Sequence, residues 1–138
     1  MSNGENVPAI DSDEWLARFI HYRRHIRQDR TVRPDAFIPH PYPDLSVTRY
    51  LQLLEAELWQ VGREIARQTG RPMYGRANVR ALIFLQRELQ VLADPIIPEN
   101  PNHAKVIGWP VDKPSQKIIA QQIAAAAGKA LEPPPSQT

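Results

Sequence analysis

Proline placement is the sequence feature that most constrains how this chain folds. Fourteen of the 138 residues are proline, about twice the usual 5%, and most lie in clusters between apolar segments. Proline donates no main-chain hydrogen bond and disfavours helix in the residue before it, so each cluster limits the length of the neighbouring helix or strand. The densest cluster opens the stretch AFIPHPYPDLSVTRY at residues 36–50. We interpret this cluster as a rigid lead-in to a strand.

Apolar residues with helical spacing predict two helices. The first lies near DSDEWLARFIHYRRHIRQD and the second within LLEAELWQVGREIARQTG. In both segments the apolar residues fall on one helix face, which we expect to be buried. The first apolar stripe is Trp15, Phe19, Tyr22 and Ile26, and the second is Leu54, Leu58, Val61 and Ile65.

Shorter patterns predict strands and a final helix. LSVTRY alternates as a strand does, and HAKVIGW has the character of a strand. VRALIFL fits either a buried strand or part of a helix that Asn78 caps, because short apolar runs do not distinguish the two. The last helix is better marked, since Asp112 is placed to cap it and Gly128 to end it.

Together these segments predict a single compact α+β domain, with about four helices around a small sheet of about three or four strands. We place the domain at residues 13–130. A polar arm at residues 1–12 precedes it, and a proline-rich tail at residues 131–138 follows it. The sequence does not define the strand order.

Composition excludes several classes of site. The chain has no cysteine, so it contains neither a disulfide nor a thiolate metal site. No apolar run approaches the roughly 18 residues that a membrane span needs, and the first residues lack the pattern of a signal peptide. The sequence also has no phosphate-binding loop, dinucleotide fingerprint or zinc-protease motif. We therefore expect a cytoplasmic protein that needs no membrane and no cofactor.

Positive charge is concentrated in the middle of the chain. Residues 15–90 contain thirteen arginines, no lysine and seven acidic residues, a local charge of +6. Guanidinium groups make paired contacts with phosphate, so the first predicted helix is a candidate surface for RNA or DNA. A solvated basic face is the alternative. The candidate contacts are Arg18, Arg23, Arg24 and Arg27.

Histidines raise two further hypotheses. His21 and His25 have the spacing of a helical metal site, but the arginines around them repel a cation, so we predict no metal there. His40 and His103 lie in turn-rich loops and suit acid–base catalysis on a phosphodiester. The two-histidine phosphoesterases, however, carry Ser or Thr two residues after each histidine, and this chain does not. Pairing of LSVTRY with HAKVIGW would bring Arg49 and His103 to one polar groove.

The leading hypothesis is a non-catalytic accessory protein that docks on another protein through its proline-rich loops. Tyr42 and Trp109 are its candidate aromatic anchors, since aromatic residues dominate interface energetics. The alternatives are an RNA- or DNA-binding protein, and a small enzyme acting on a phosphate- or nucleotide-like substrate through His103, His40 and Arg49. The full set of candidate binding residues is Tyr42, Arg49, Arg76, Asn102, His103 and Trp109.

The pairing of FIPHPYPDLSVTR with ENPNHAKVIGWP, followed by a final helix, resembles a group of small uncharacterised bacterial proteins. These proteins share an early LSV-type strand and a late N-P-x-H-A or P-x-H-A turn. The resemblance covers residues 35–127 and rests on those two motifs. It implies a compact domain of bacterial origin, and it implies no particular activity.

Overall fold

The computed structural model describes residues 7–135. Parts of the predicted arm and tail, residues 1–6 and 136–138, lie outside the described residues. Within residues 7–135 the chain forms one five-stranded antiparallel sheet and three α-helices. The α+β class is thus confirmed, whereas the predicted four helices and three or four strands are wrong in number.

The sheet has the strand order β3-β1-β2-β5-β4, and every neighbouring pair is antiparallel. Two short 3-10 turns, Arg23–His25 and Pro34–Phe37, lie between the first two strands. The strands are β1 Trp15–Ile20, β2 Leu45–Arg49, β3 Gly75–Arg80, β4 Gln90–Ala93 and β5 His103–Ile107. The helices are α1 Glu55–Thr69, α2 Ala81–Leu85 and α3 Lys113–Ala127.

The largest correction concerns the first predicted helix, which is instead strand β1 followed by a 3-10 turn. β1 lies between β3 and β2, and both of its faces are covered. A strand buried on both faces is apolar on both, so it loses the alternation that identifies strands. Two members of the predicted apolar stripe are in fact exposed, Trp15 by 43% and Tyr22 by 39%.

The other predicted elements agree more closely with the structure. The second predicted helix is α1, although Leu54 precedes it and is 70% exposed. The strands predicted in LSVTRY and HAKVIGW are β2 and β5. VRALIFL is part strand and part helix, and so matches neither alternative fully, because β3 ends at Arg80 and α2 begins at Ala81. The Asp112 carboxylate accepts a hydrogen bond from the Ser115 main-chain N–H at 3.0 Å, which confirms the predicted cap of α3.

Two apolar clusters cover the two faces of the sheet. The larger cluster joins one face to α2, α3 and the second 3-10 turn, with Phe37, Phe84 and Ile123 fully buried. On the opposite face, α1 packs on β1 through a cluster that includes Phe19 and Leu58. A Cβ added at Gly62 of α1 would lie 2.5 Å from the Phe19 ring. Glycine at this position therefore allows α1 to approach the strand closely.

A buried arginine, Arg49, attaches the N-terminal segment to the sheet. Its side chain is 1% exposed and makes a two-point ion pair with the Glu14 carboxylate, at 2.7 and 2.9 Å. The same guanidinium donates to the carbonyl oxygens of Pro8 at 2.7 Å and Ala9 at 3.2 Å. The described part of the predicted N-terminal arm therefore packs on the domain. At the other terminus, Leu131 forms a β-bridge with Arg76 at the edge of β3.

We expect Arg49→Ala to lower the free energy of unfolding by about 3–5 kcal/mol, because it leaves a partly buried carboxylate and two carbonyls without their donor. Urea denaturation measures the change. Arg67→Ala is the matched control, since Arg67 pairs with Glu64 on the exposed surface of α1 and its loss should change stability little. Equal effects of the two variants would show that Arg49 is not a structural anchor.

Candidate nucleic-acid interface

The register of β2 and β5 separates the two candidate catalytic histidines. Leu45 pairs with Val106, and Thr48 pairs with His103. His103 is therefore beside the C-terminal part of β2, whereas His40 lies in the exposed loop before the N-terminal end of that strand. The structure does not bring the two imidazoles together.

The predicted groove between Arg49 and His103 is also not formed. Side chains of adjacent residues in a strand project from opposite faces of the sheet. Because Thr48 is the cross-strand partner of His103, those two share a face and Arg49 projects from the other one. Arg49 is enclosed by Glu14 and the N-terminal segment. It is a structural residue.

His103 itself lines a narrow cleft with a volume of about 50 Å³, together with His21, Ser46 and Thr48. The His103 Nδ1 lies 2.9 Å from the Asp94 carbonyl oxygen and 3.2 Å from the Asp94 carboxylate. Pockets that hold small-molecule ligands have volumes of about 300–1,000 Å³, so this cleft is several times too small for such a ligand. This size does not support a substrate pocket at His103.

Three further candidate binding residues are occupied by structural contacts. Asn102 donates its side-chain amide to the Arg49 carbonyl oxygen at 3.1 Å, as turn asparagines commonly do. Arg76 is buried over the Trp59 ring, 4.5 Å from its centroid, and pairs with Glu55. The Trp109 indole N–H donates to the Val106 carbonyl oxygen at 3.0 Å, and the ring packs against the larger core. These residues hold the fold together.

Arg18, one of the four candidate nucleic-acid contacts, is likewise used inside the protein. Its guanidinium donates to the carbonyl oxygens of Ala36 at 2.8 Å and Ser46 at 3.0 Å. Burial lowers the pKa of Arg18 to about 10, and the positive charge of Arg71 acts in the same direction. The side chain is still cationic at neutral pH, but two of its three nitrogens donate to main-chain carbonyls.

The remaining candidate arginines line a concave surface that we call the arginine cleft. Its volume is about 460 Å³. Its charged lining consists of four arginines and one aspartate, a formal charge of +3. The arginines are Arg23, Arg24, Arg27 and Arg33, and the aspartate is Asp35.

The cleft is built on the turn and hairpin that follow β1, and not on a helix. The main-chain N–H of Arg27 donates to the Thr31 carbonyl at 2.9 Å, and that of Arg33 donates to the His25 carbonyl at 2.7 Å. Ile26 and Val32, which lie between these two hydrogen bonds, form an antiparallel β-bridge. Arg30 closes the turn with a φ of 75°, a conformation that is typical of tight turns. The hairpin therefore presents its arginines from a fixed backbone.

Tyrosine rings lie beneath two of the four cleft guanidinium groups and beneath that of the neighbouring Arg71. The guanidinium carbons of Arg24 and Arg71 lie 5.1 and 5.6 Å from the centroid of the Tyr22 ring. That of Arg23 lies 5.7 Å from the centroid of the Tyr74 ring. Cation–π contacts of this kind hold a guanidinium in place while leaving its N–H donors free.

The cleft arginines also lack acidic partners. Between residues 7 and 135, the arginines that pair with a carboxylate are Arg30, Arg49, Arg67 and Arg76. None of the four cleft arginines forms such a pair with a described carboxylate, and neither does Arg71. Uncompensated guanidinium groups on one concave surface attract an anion.

Sequence reasoning missed Arg33, Arg71 and the supporting role of Tyr22. Arg33 stands directly before Pro34, which marks it as a loop residue, so a local signal existed. Arg71 reaches Tyr22 only because α1 packs against β1, and no local pattern records that contact. The spacing of Tyr22 from Phe19 fits a helix and predicts a core position, whereas the side chain is 39% exposed.

No protein-family model matches this chain, and no curated protein or solved structure matches it either. None of the helices described between residues 7 and 135 is long and apolar enough to cross a membrane. Over the same residues, no three histidine, aspartate or glutamate side chains are grouped closely enough to hold a metal ion. The functional argument therefore rests on the geometry of the arginine cleft.

The two histidines that flank Tyr22 and the first cleft arginines in sequence, His21 and His25, have surroundings that favour their neutral forms. Burial lowers the pKa of His25, Asp35 opposes this shift, and Arg24 adds to it. Burial also lowers the pKa of His21, which is partly offset by the hydrogen bond with the Pro72 carbonyl oxygen. In the unfolded chain both imidazoles regain a pKa near the ordinary value of about 6.5.

We expect the free energy of unfolding to fall as the pH drops below about 6.5, because the unfolded state then binds protons that the folded state does not. His25→Gln should reduce this acid sensitivity. Urea denaturation at a neutral and a mildly acidic pH measures the difference, and Gln122→Ala on the exposed side of α3 is the control. An acid sensitivity that is unchanged in His25→Gln would contradict the assignment.

Proposed function

We propose that this protein binds nucleic acid through the arginine cleft. One observation carries the proposal: a concave surface of about 460 Å³ is lined by four arginines that have no carboxylate partner among residues 7–135. Nucleic acids present closely spaced phosphates, and neutralising several of them releases counterions, which drives binding. The cleft supplies several cations at one place for such a polyanion.

The type of cation also supports phosphate as the ligand. A guanidinium group is weakly hydrated and offers a rigid fork of N–H donors that matches two phosphate oxygens. Arg23 and Arg24 are already held over tyrosine rings. Side chains that are ordered before binding lose less conformational entropy when the ligand arrives.

If all four cleft arginines contact phosphates, the logarithm of the affinity for a DNA duplex should fall with the logarithm of the salt concentration with a slope of about −4. Arg23→Gln/Arg24→Gln should make this slope shallower by about 2. Fluorescence anisotropy of a labelled duplex over a range of salt concentrations measures both values.

The control variant is Arg80→Gln/Lys117→Gln, which removes two exposed positive charges outside the cleft. Its slope should match that of the unmodified protein. If neither duplex nor single-stranded nucleic acid binds at low salt, the proposal fails. Equal effects of the two double variants on the salt slope would show that the cleft contributes only general surface charge. Tight binding of polyglutamate would indicate an acidic protein as the partner.

Docking on another protein is a second proposal, and it rests on the exposure of Tyr42. This side chain is 67% exposed in the proline-rich loop before β2. Because Leu45 pairs with Val106, this loop and the segment that follows β5 adjoin the same end of the sheet. An exposed tyrosine on a proline-constrained loop can anchor an interface at low entropic cost.

Protein docking predicts that affinity capture from the native cell recovers a partner even after nuclease treatment, and that Tyr42→Ser abolishes its recovery. Tyr74→Ser is the aromatic control, since that tyrosine lies next to the arginine cleft. Recovery that is lost on nuclease treatment, or retained in Tyr42→Ser, would contradict docking at this loop. We do not propose catalysis by His103, His40 and Arg49, because no shared site supports it.

A further inference from the structure

The aromatic side chains next to the arginine cleft indicate which form of nucleic acid it binds. Tyr22 is the more exposed of its two tyrosines, and Tyr74 is half-buried. The Tyr22 ring is surrounded by Arg24, Arg71 and the His25 ring, whose centroid lies 5.0 Å away. The Tyr74 ring lies against Arg23. Both tyrosines are thus engaged by cationic or imidazole side chains of the protein itself.

Proteins that bind single strands use aromatic rings on which successive unpaired bases stack. Here the tyrosine rings already contact guanidinium groups, so an unpaired base would have to displace an arginine in order to stack. Trp15 does not provide such a platform either, since Arg80 lies 4.8 Å from its ring centroid. Among the described residues around the cleft, the arginines offer donors to phosphate, and neither tyrosine ring is free of a guanidinium contact.

A double helix suits a surface whose arginines can donate to phosphate and whose tyrosine rings are already in contact with guanidinium groups. Its bases are stacked internally and need no protein ring, and its two backbones present a higher density of phosphate charge than a single strand does. Backbone contacts position a protein without reading sequence. We propose that the ligand of the arginine cleft, on the premise that the proposed function holds, is a double-stranded nucleic acid bound through its phosphates and without sequence preference.

In this arrangement Tyr22 is a positioning residue. It touches Arg24 and Arg71, and Arg24 is one of the four cleft arginines that contact the phosphates in the proposed complex. Removal of the ring frees both guanidinium groups without removing a positive charge. The affinity for duplex should fall while the number of phosphate contacts, and hence the salt slope, stays the same.

The test compares a labelled duplex with a single strand of the same length by fluorescence anisotropy. We expect the duplex to bind at least about tenfold more tightly, and we expect scrambled duplex sequences to bind with affinities that agree within about twofold. Tyr22→Leu should weaken duplex binding by about three- to tenfold with an unchanged salt slope, and Tyr22→Phe should restore it. Thermal unfolding of each variant checks that the fold is intact.

The outcomes separate this inference from the proposed function. Binding of single strands as tightly as duplex, or a larger loss for single strands than for duplex in Tyr22→Leu, overturns the inference and leaves nucleic-acid binding in place. A strong preference among scrambled duplexes also overturns it. Failure of both nucleic acids to bind at low salt overturns the proposed function and the inference with it.

Discussion

The burial of β1 on both faces is the constraint on which the rest of the structure depends. β1 pairs along its whole length with β3, and its Leu16 and Ala17 pair with β2. One of its faces contributes to the core beneath α2 and α3, and the other packs against α1. A strand in this position cannot tolerate a polar side chain on either face unless that side chain is satisfied. Arg18 meets this condition through two main-chain carbonyls.

The arginine cleft follows from where that strand ends. After Ile20 the chain leaves the sheet, and the turn and hairpin that follow are held by main-chain hydrogen bonds and by contact with the second 3-10 turn. Tyr22 and the cleft arginines therefore stand next to the buried core on a backbone that has little freedom. Arg71 joins them because α1, which packs on β1, ends at Thr69. The same packing that hides β1 thus assembles the cationic surface.

The sequence predicted the parts of the fold that local chemistry defines. α3 has a capping carboxylate at Asp112 and a terminating glycine at Gly128, and both act as expected. α1 was recognised from its apolar stripe, although its true buried face includes Trp59 and Gly62. β1 was not recognised, because a strand that is covered on both sides carries no alternation and its aromatic residues happened to match helical spacing.

The candidate site was less predictable because it depends on which face of a strand each residue occupies. Thr48 and Arg49 are neighbours in sequence, yet one shares a face with His103 and the other lies beneath the N-terminal segment. A shift of one residue in the β2 register would exchange them. The sequence admits pairing of β2 with β5 only as a hypothesis, and the register that decides whether two polar side chains meet is set by tertiary packing.

Arginine content alone could not have identified the cleft, because the arginines of this chain serve opposite purposes. Arg18, Arg49 and Arg76 donate hydrogen bonds to main-chain carbonyl oxygens or to carboxylates within the fold. Of the four cleft arginines, Arg23 and Arg24 stand against tyrosine rings, which orient a cation without neutralising it. A carboxylate partner would have held these side chains equally well and would have cancelled the charge that an anionic ligand needs. Because Arg76 also lies over an aromatic ring but pairs with Glu55, the feature that distinguishes the cleft arginines is that none of them pairs with a carboxylate among residues 7–135.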